Sequence, residues 1–129
     1  MIVVDASVVL QILLDSNKAS KLRDTVNHAK RLIAPHFIDL EVLNGFRRHL
    51  RIGALSAERA LQAIEDMRML QIDRRPIHGF ATQIWSLRDN ITPYDAAYVV
   101  LASELGVPLL TRDMKLAKAA AALTNVILI

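Results

Sequence analysis

A three-layer α/β sandwich, built on a parallel sheet of about five strands, is the fold this sequence predicts. Three observations carry it. Short β-branched runs alternate with longer stretches of helical periodicity along the whole chain. Strands separated by helix-length segments pair in parallel through crossovers rather than as hairpins. No repeat, low-complexity tract or Ser/Gly linker divides the 129 residues, and with 53% apolar content they have material for one core, so one domain spanning 1–129 is expected.

The elements follow in order. "MIVVD" is a short strand giving way to the helical "ASVVLQILL", and "SNKASKLRDTVNHAK" is a polar amphipathic second helix. "RLIAP" is a strand stopped by Pro35. A helix runs from about Phe37 to Ile52 and ends at Gly53, and "SAERALQAIEDMRML" opens a fourth at Ser56. "QIDRRPI" is a strand weakened by Pro76, and "HGFATQIWSLRDN" a helix. In "TPYDAAYVVLA" Thr92 caps and Pro93 takes the first helical position, where its missing donor costs nothing; Gly106 closes that helix. "VPLLT" is a strand, "RDMKLAKAAAAL" an alanine-rich helix and "NVILI" a final strand.

Composition narrows the chemistry. With no cysteine, disulfides, thiolate metal sites and thiol nucleophiles are excluded. The apolar N-terminus is interrupted by Asp5, lacks a basic preceding region and offers only "ASVVLQILL" without a break, far too short to span a bilayer; a soluble, cytoplasmic protein is expected. A net charge of +3 and a pI near 9.6 suit anionic partners. Arg47, Arg48 and Arg51 cluster around His49, and Arg74 and Arg75 form a second pair, although a solvated face is the better reading of either cluster taken alone.

The acids are more informative. Asp5 after the first strand and Asp113 after the fourth each suit a helix N-cap, yet both stand on the edge of a parallel sheet where ligands bind. Asp95, three residues after Thr92, suits a capping box and lies near one rim of the sheet. Glu41 shares a helix face with Asn44, Gly45 and Arg48, where an ordinary ion pair with Arg48 is the plain alternative. Converged in one pocket, four carboxylates would repel one another unless protons were shared or a hard cation bound, and oxygen-only ligands favour Mg²⁺ or Mn²⁺ over zinc. Ser7 and Thr111, two residues from Asp5 and Asp113, are placed to orient those carboxylates, or simply to cap backbone.

"VDAS", "DLEVLNGFRR", "TPYDAAYVVLASELGVPLLTRD" and "NVILI" together resemble a PIN domain, and the chain's size resembles the VapC toxin ribonucleases. The resemblance spans essentially the whole chain. It rests on Asp5 with Ser7 in D-x-S, Glu41 on the helix after the second strand, Asp95 in T-x-x-D-A and Asp113 in T-x-D, all in order. It implies strand order 3-2-1-4-5, a ligand set of Asp5, Glu41, Asp95 and Asp113, and Mg²⁺- or Mn²⁺-dependent cleavage of single-stranded RNA. It also implies a homodimer and inhibition by a VapB-type antitoxin. Because four acids repel RNA, cations must flank them, and Arg48 and Arg112 are the candidates. Tyr94, beside the acids, is the better base-stacking candidate; Trp85 and Tyr98 read as core. "VVLQILL" and the third and fourth helices offer apolar surface for a dimer mate or antitoxin, or for the core. A receiver-like signalling module fits less well, lacking adjacent acids at the first strand and a Lys-Pro after Thr111. A haloacid-dehalogenase-like phosphatase would need D-x-D in place of D-x-S, and a catalytically inactive PIN fold would have no need of the intact acids.

Overall fold

The computed structural model describes residues 1–15 and 20–129, so the start of the predicted second helix at 16–19 lies outside the described residues. The five strands are β1 (Ile2–Val4), β2 (Leu32–Pro35), β3 (Ile72–Arg75), β4 (Leu109–Thr111) and β5 (Val126–Leu128). They form one wholly parallel sheet in the order β3-β2-β1-β4-β5, as the resemblance implied. Val3 stands opposite Ile33 on one side and Leu109 on the other. The described helices are α1 (Ala6–Leu14), α2 (Ser20–His28), α3 (Ile38–Arg51), α4 (Ala57–Met69), α5 (Ala81–Ser86), α6 (Pro93–Leu105) and α7 (Met114–Ala120).

Local chemistry accounts for the boundaries. Asp5, Ser56, Thr92 and Asp113 each cap a helix by accepting a backbone N–H two or three residues on. Gly106 ends α6 in the left-handed region, at φ 62°, which a side chain would strain. Segment 78–90 departs from the single helix its periodicity predicts: His78–Phe80 is a 3-10 turn, α5 spans only Ala81–Ser86, and turns follow. Ile84 is its one fully buried residue, with Phe80 and Leu87 partly buried beside the core, a small apolar face to hold a longer helix.

The chain goes from β1 outward to β2 and β3, then returns to place β4 on the other side of β1. The order reverses between β1 and β4, and a crevice opens there at the carboxyl ends of the strands. Because a crossover helix runs back against the strands, its N-terminus lies at this same edge. One rule therefore carries the starts of α1, α3, α6 and α7 to one rim. Beneath it the core is built from the central strands and the inner faces of α1, α3 and α6, with Val3, Val4, Val8, Val42, Val99, Leu109 and Leu110 fully buried.

Face assignments on α3 differ from the helical-wheel reading. Gly45 is buried against α1, and a Cβ there would stand 2.5 Å from Leu10 Cδ1, whereas Leu40 and Leu43 face outward. Gly45 thus marks close helix packing, not a polar face shared with Glu41. Burial sets the scale of core mutations: Leu110→Ala should cost about 2–5 kcal/mol in denaturant unfolding, while exposed Leu61→Ala should stay within about 0.5 kcal/mol.

Candidate active site

The site begins at Asp5, which leaves β1 and caps α1 with its carboxylate almost out of solvent, at 5% exposure. Both oxygens are engaged. Oδ1 accepts from Ser7 Oγ at 2.6 Å and from the Val8 amide at 3.1 Å; Oδ2 accepts from Thr111 Oγ1 at 2.5 Å. Thr111, fully buried at the end of β4, also accepts from the Asp113 amide at 2.9 Å, and Ser7 Oγ accepts from the Arg112 amide at 3.0 Å. Two hydroxyls thus tie the end of β1 to the Arg112–Asp113 turn across the switch point. Ser7 and Thr111 thus reach the Asp5 carboxylate and, beyond it, the backbone amides of Arg112 and Asp113.

Asp113 caps α7, with Oδ1 accepting from Lys115 and Leu116 amides at 2.8 and 3.1 Å. Asp95 lies in the first turn of α6, where its amide donates to Thr92 Oγ1 at 3.2 Å. Glu41 lies in the first turn of α3, and its Oε2 accepts from the hydroxyl of Tyr98, which is buried on α6. The four predicted acids therefore occupy one rim and sense one another. Burial raises the Asp5 pKa despite the hydrogen bonds from Ser7, Thr111 and Val8, and repulsion from Asp113 adds to the rise. Burial raises Glu41 too, opposed by the Tyr98 hydroxyl and Arg48 and reinforced by Asp95 and Asp5. Asp95 is raised by burial, then by Asp113 and Asp5.

The carboxylates do not close on a common point. Among the described residues no three Asp, Glu, Cys or His side chains gather closely enough to hold a metal as they stand. The cause is visible in their partners: Asp5, Glu41 and Asp113 are each turned toward protein donors. The donor set is all oxygen, carries like charge and resists full ionisation, which is the chemistry a hard divalent cation relieves.

The cations sort themselves. Arg48 and Arg112 are exposed, and Arg48 is near enough to lower Glu41. Arg74 is committed to Asp39 by a two-pronged bridge at 2.6 and 2.8 Å, and Arg75 and Arg31 both pair with Asp73, at 2.9 and 3.2 Å. Tyr98 is core, as its spacing indicated. Trp85 is not: it is 62% exposed, with the Arg88 guanidinium 5.0 Å from its ring centre. The Tyr98–Glu41 contact escaped sequence reasoning, because its partners stand 57 positions apart; Tyr98 following Asp95 by three was the available signal, since it places the ring one turn on.

A model of the PIN domain matches residues 2–122. VapC ribonuclease Mb0985 of Mycobacterium bovis is 40% identical over 116 residues, covering 90% of this chain and 88% of that protein. Ribonuclease VapC1 of Mycobacterium tuberculosis is 37% identical over 124 residues, covering 91% and 89%. Among solved structures, VapBC2 of Rickettsia felis bound to a promoter DNA fragment superposes with a TM-score of 0.69 at 13% identity over 98% of each chain. PAE2754 of Pyrobaculum aerophilum gives 0.67 at 21% identity, over 92% of this chain and 83% of that one. These two share the fold. The chain is a PIN-domain protein, and within that family it belongs with the VapC ribonucleases. The receiver-like reading falls with this result, and the sheet order agrees, since receivers are wound 2-1-3-4-5.

Two substitutions should shift stability in opposite directions in EDTA. An acid whose folded pKa is raised supports the fold fully below its unfolded value, 3.8 for Asp95, and loses that support as pH rises through the folded value. Asp95→Asn, neutral at every pH, should therefore melt a few degrees above wild type at neutral pH, and the two should converge near about pH 4. Thr111→Val leaves a buried carboxylate oxygen unpaired and should cost about 1–3 kcal/mol. Calorimetric scans across pH check both; a less stable Asp95→Asn at neutral pH would return Asp95 to a purely capping role.

Proposed function

We propose that residues 1–129 act as one nuclease domain, a VapC-type toxin that cleaves single-stranded RNA internally with the help of Mg²⁺ or Mn²⁺. The observation that carries this reading is the placement of Asp5, Glu41, Asp95 and Asp113 on one rim, where burial first and neighbouring acids second raise Asp5, Glu41 and Asp95. These four carboxylates would hold the cation. When bound, the ion offsets their mutual repulsion and the charge that builds on the phosphate oxygens during attack.

The chain's own residues supply the rest. Ser7 and Thr111 fix the Asp5 carboxylate in its plane, and Tyr98 fixes Glu41 from below. One of the acids accepts a proton from the attacking water as its oxygen bonds to phosphorus, and the phosphorus bond to the leaving ribose oxygen breaks. A raised pKa suits that role, since it makes a carboxylate a stronger proton acceptor than an ordinary one. Arg48 and Arg112 hold flanking phosphates and let an anionic strand approach an anionic rim.

The activity resides in the cytoplasm, where a VapB-type antitoxin holds it in check and a second copy completes a homodimer. Exposed apolar side chains on α3 and α4, including Leu40, Leu50 and Leu61, support such contacts. No described helix is long and apolar enough to cross a membrane.

The test is an RNA panel with Mg²⁺, with Mn²⁺ and with EDTA. Cleavage should require the cation, and Asp5→Asn or Asp113→Asn should lower it by more than the roughly 10–100-fold typical of losing a supporting residue. Cleavage undiminished by EDTA would contradict the metal. Failure to cut any RNA in Mg²⁺ or Mn²⁺ would leave the inactive binding fold as the better reading. Arg48→Ala and Arg112→Ala should each lower the slope of log affinity against log salt by roughly 0.7, a change that filter binding at several salt concentrations resolves.

A further inference from the structure

Two grooves of different chemistry meet the acidic rim. One, of about 390 Å³, is lined by Phe37, Leu40, Glu41, Asn44 and Tyr94. The other, of about 450 Å³, reaches Asp95 from the opposite direction and carries Arg88 and Lys115 along with Asp89. In the first groove Glu41 disfavours a phosphate, while aromatic and aliphatic walls accept an uncharged ring face. The Tyr94 ring is 61% exposed, yet its attitude is set by an edge contact with Phe37, at 5.5 Å between centroids and 89° between planes. Phe37 is braced in turn by buried Tyr98, at 5.8 Å and 81°. A surface tyrosine held this way presents an open face at little entropic cost. Within the same groove the exposed Asn44 amide has no hydrogen-bond partner among the described residues, so its donor and acceptor are available.

We infer that Phe37, Tyr94 and Asn44 form a nucleobase subsite beside the acids, in which an unpaired RNA base stacks on Tyr94 and is read along its edge by the Asn44 amide. This rests on the ribonuclease reading and adds to it the element that selects where a strand is cut. Base stacking on an aromatic ring tolerates any base, whereas a carboxamide, with one donor side and one acceptor side, distinguishes edges. The opposite groove, with Arg88 and Lys115, receives backbone phosphate, so the strand is held by a base on one side of the acids and by charge on the other.

The probe is a short single-stranded oligoribonucleotide that wild type cuts at one mapped position, with 2-aminopurine placed in turn at each nucleotide flanking the cut. Binding is read in EDTA by fluorescence quenching. One flanking position should be quenched by wild type and by Tyr94→Phe but not by Tyr94→Ala. Tyr94→Ala should weaken binding about tenfold with an unchanged salt slope, and that loss should vanish when the position is made abasic. Asn44→Ala should keep the quenching and flatten the relative cleavage of oligonucleotides that differ only in that base. Equal quenching by wild type and Tyr94→Ala at every position, or the same tenfold loss on abasic RNA, would overturn the subsite. So would a Tyr94→Ala protein that binds and cuts RNA normally but no longer assembles with its antitoxin, which would make the corner a protein interface. Wild type that cuts no RNA at all would refute the ribonuclease reading itself, a result distinct from any of these.

Discussion

The Asp5–Thr111 hydrogen bond is the interaction on which the rest of the site depends. A carboxylate with 5% exposure is costly unless its lone pairs are filled, and here each oxygen has a donor, from Ser7 and the Val8 amide on one side and from Thr111 on the other. Asp5 and Thr111 stand at two strand ends that are 106 positions apart in sequence yet adjacent in the sheet. The bond therefore satisfies a buried charge and fixes the switch point at once. Through Ser7 and Thr111 it also positions the Arg112 and Asp113 amides. A sheet wound 3-2-1-4-5 places helix starts at that point, and helix starts are where a negative side chain is favoured by the local dipole. Fold and charge thus agree on where acids belong, and the cost appears in their burial and in their repulsion of one another.

Burial, with that repulsion added to it, makes the acids unlike ordinary caps. A solitary capping carboxylate is pulled down by the amides it accepts from. Asp5 has such donors and is raised nonetheless, because burial outweighs them and Asp113 adds to it. Asp95 is raised with less burial and two acidic neighbours. Tyr98 carries the same signature from the other side: burial first, then its bond to Glu41, hold its hydroxyl protonated well beyond the ordinary phenol range, so it serves as a fixed donor. The same ring braces Phe37, which links the carboxylate rim to the aromatic groove. One buried tyrosine therefore supports both Glu41 and the Phe37–Tyr94 corner of the aromatic groove.

Much of this was legible in the sequence, for reasons specific to each element. β1, β2 and β4 are short, β-branched or aliphatic and bounded by caps or proline, so their limits were plain. Asp5, Thr92 and Asp113 announced helix starts because capping is local chemistry, readable within three residues. The placing of four acids along one rim was legible only through an ordered motif, since nothing in a helix start specifies what lies across the sheet. Long-range choices were hidden for the same reason. Arg74 finds Asp39 across 35 positions, which removes it from the pool of free cations. Trp85 sits at a core-like spacing but lies on a helix too short to bury more than Ile84. Gly45 reads as part of a polar stripe until the approach of Leu10 is known.

The claim at the centre of this account is that one divalent cation reconciles the four carboxylates. A thermal unfolding titration of the metal-free protein with Mg²⁺, in wild type and in the Asp5→Asn, Asp95→Asn double variant, tests it most directly. Binding to the folded state alone raises stability by RT ln(1 + [L]/Kd), about 2.7 kcal/mol at a hundred times Kd. Wild type should rise along that curve and the double variant should stay nearly flat. A wild type whose melting temperature ignores Mg²⁺, or a double variant that rises in parallel with it, would contradict the account.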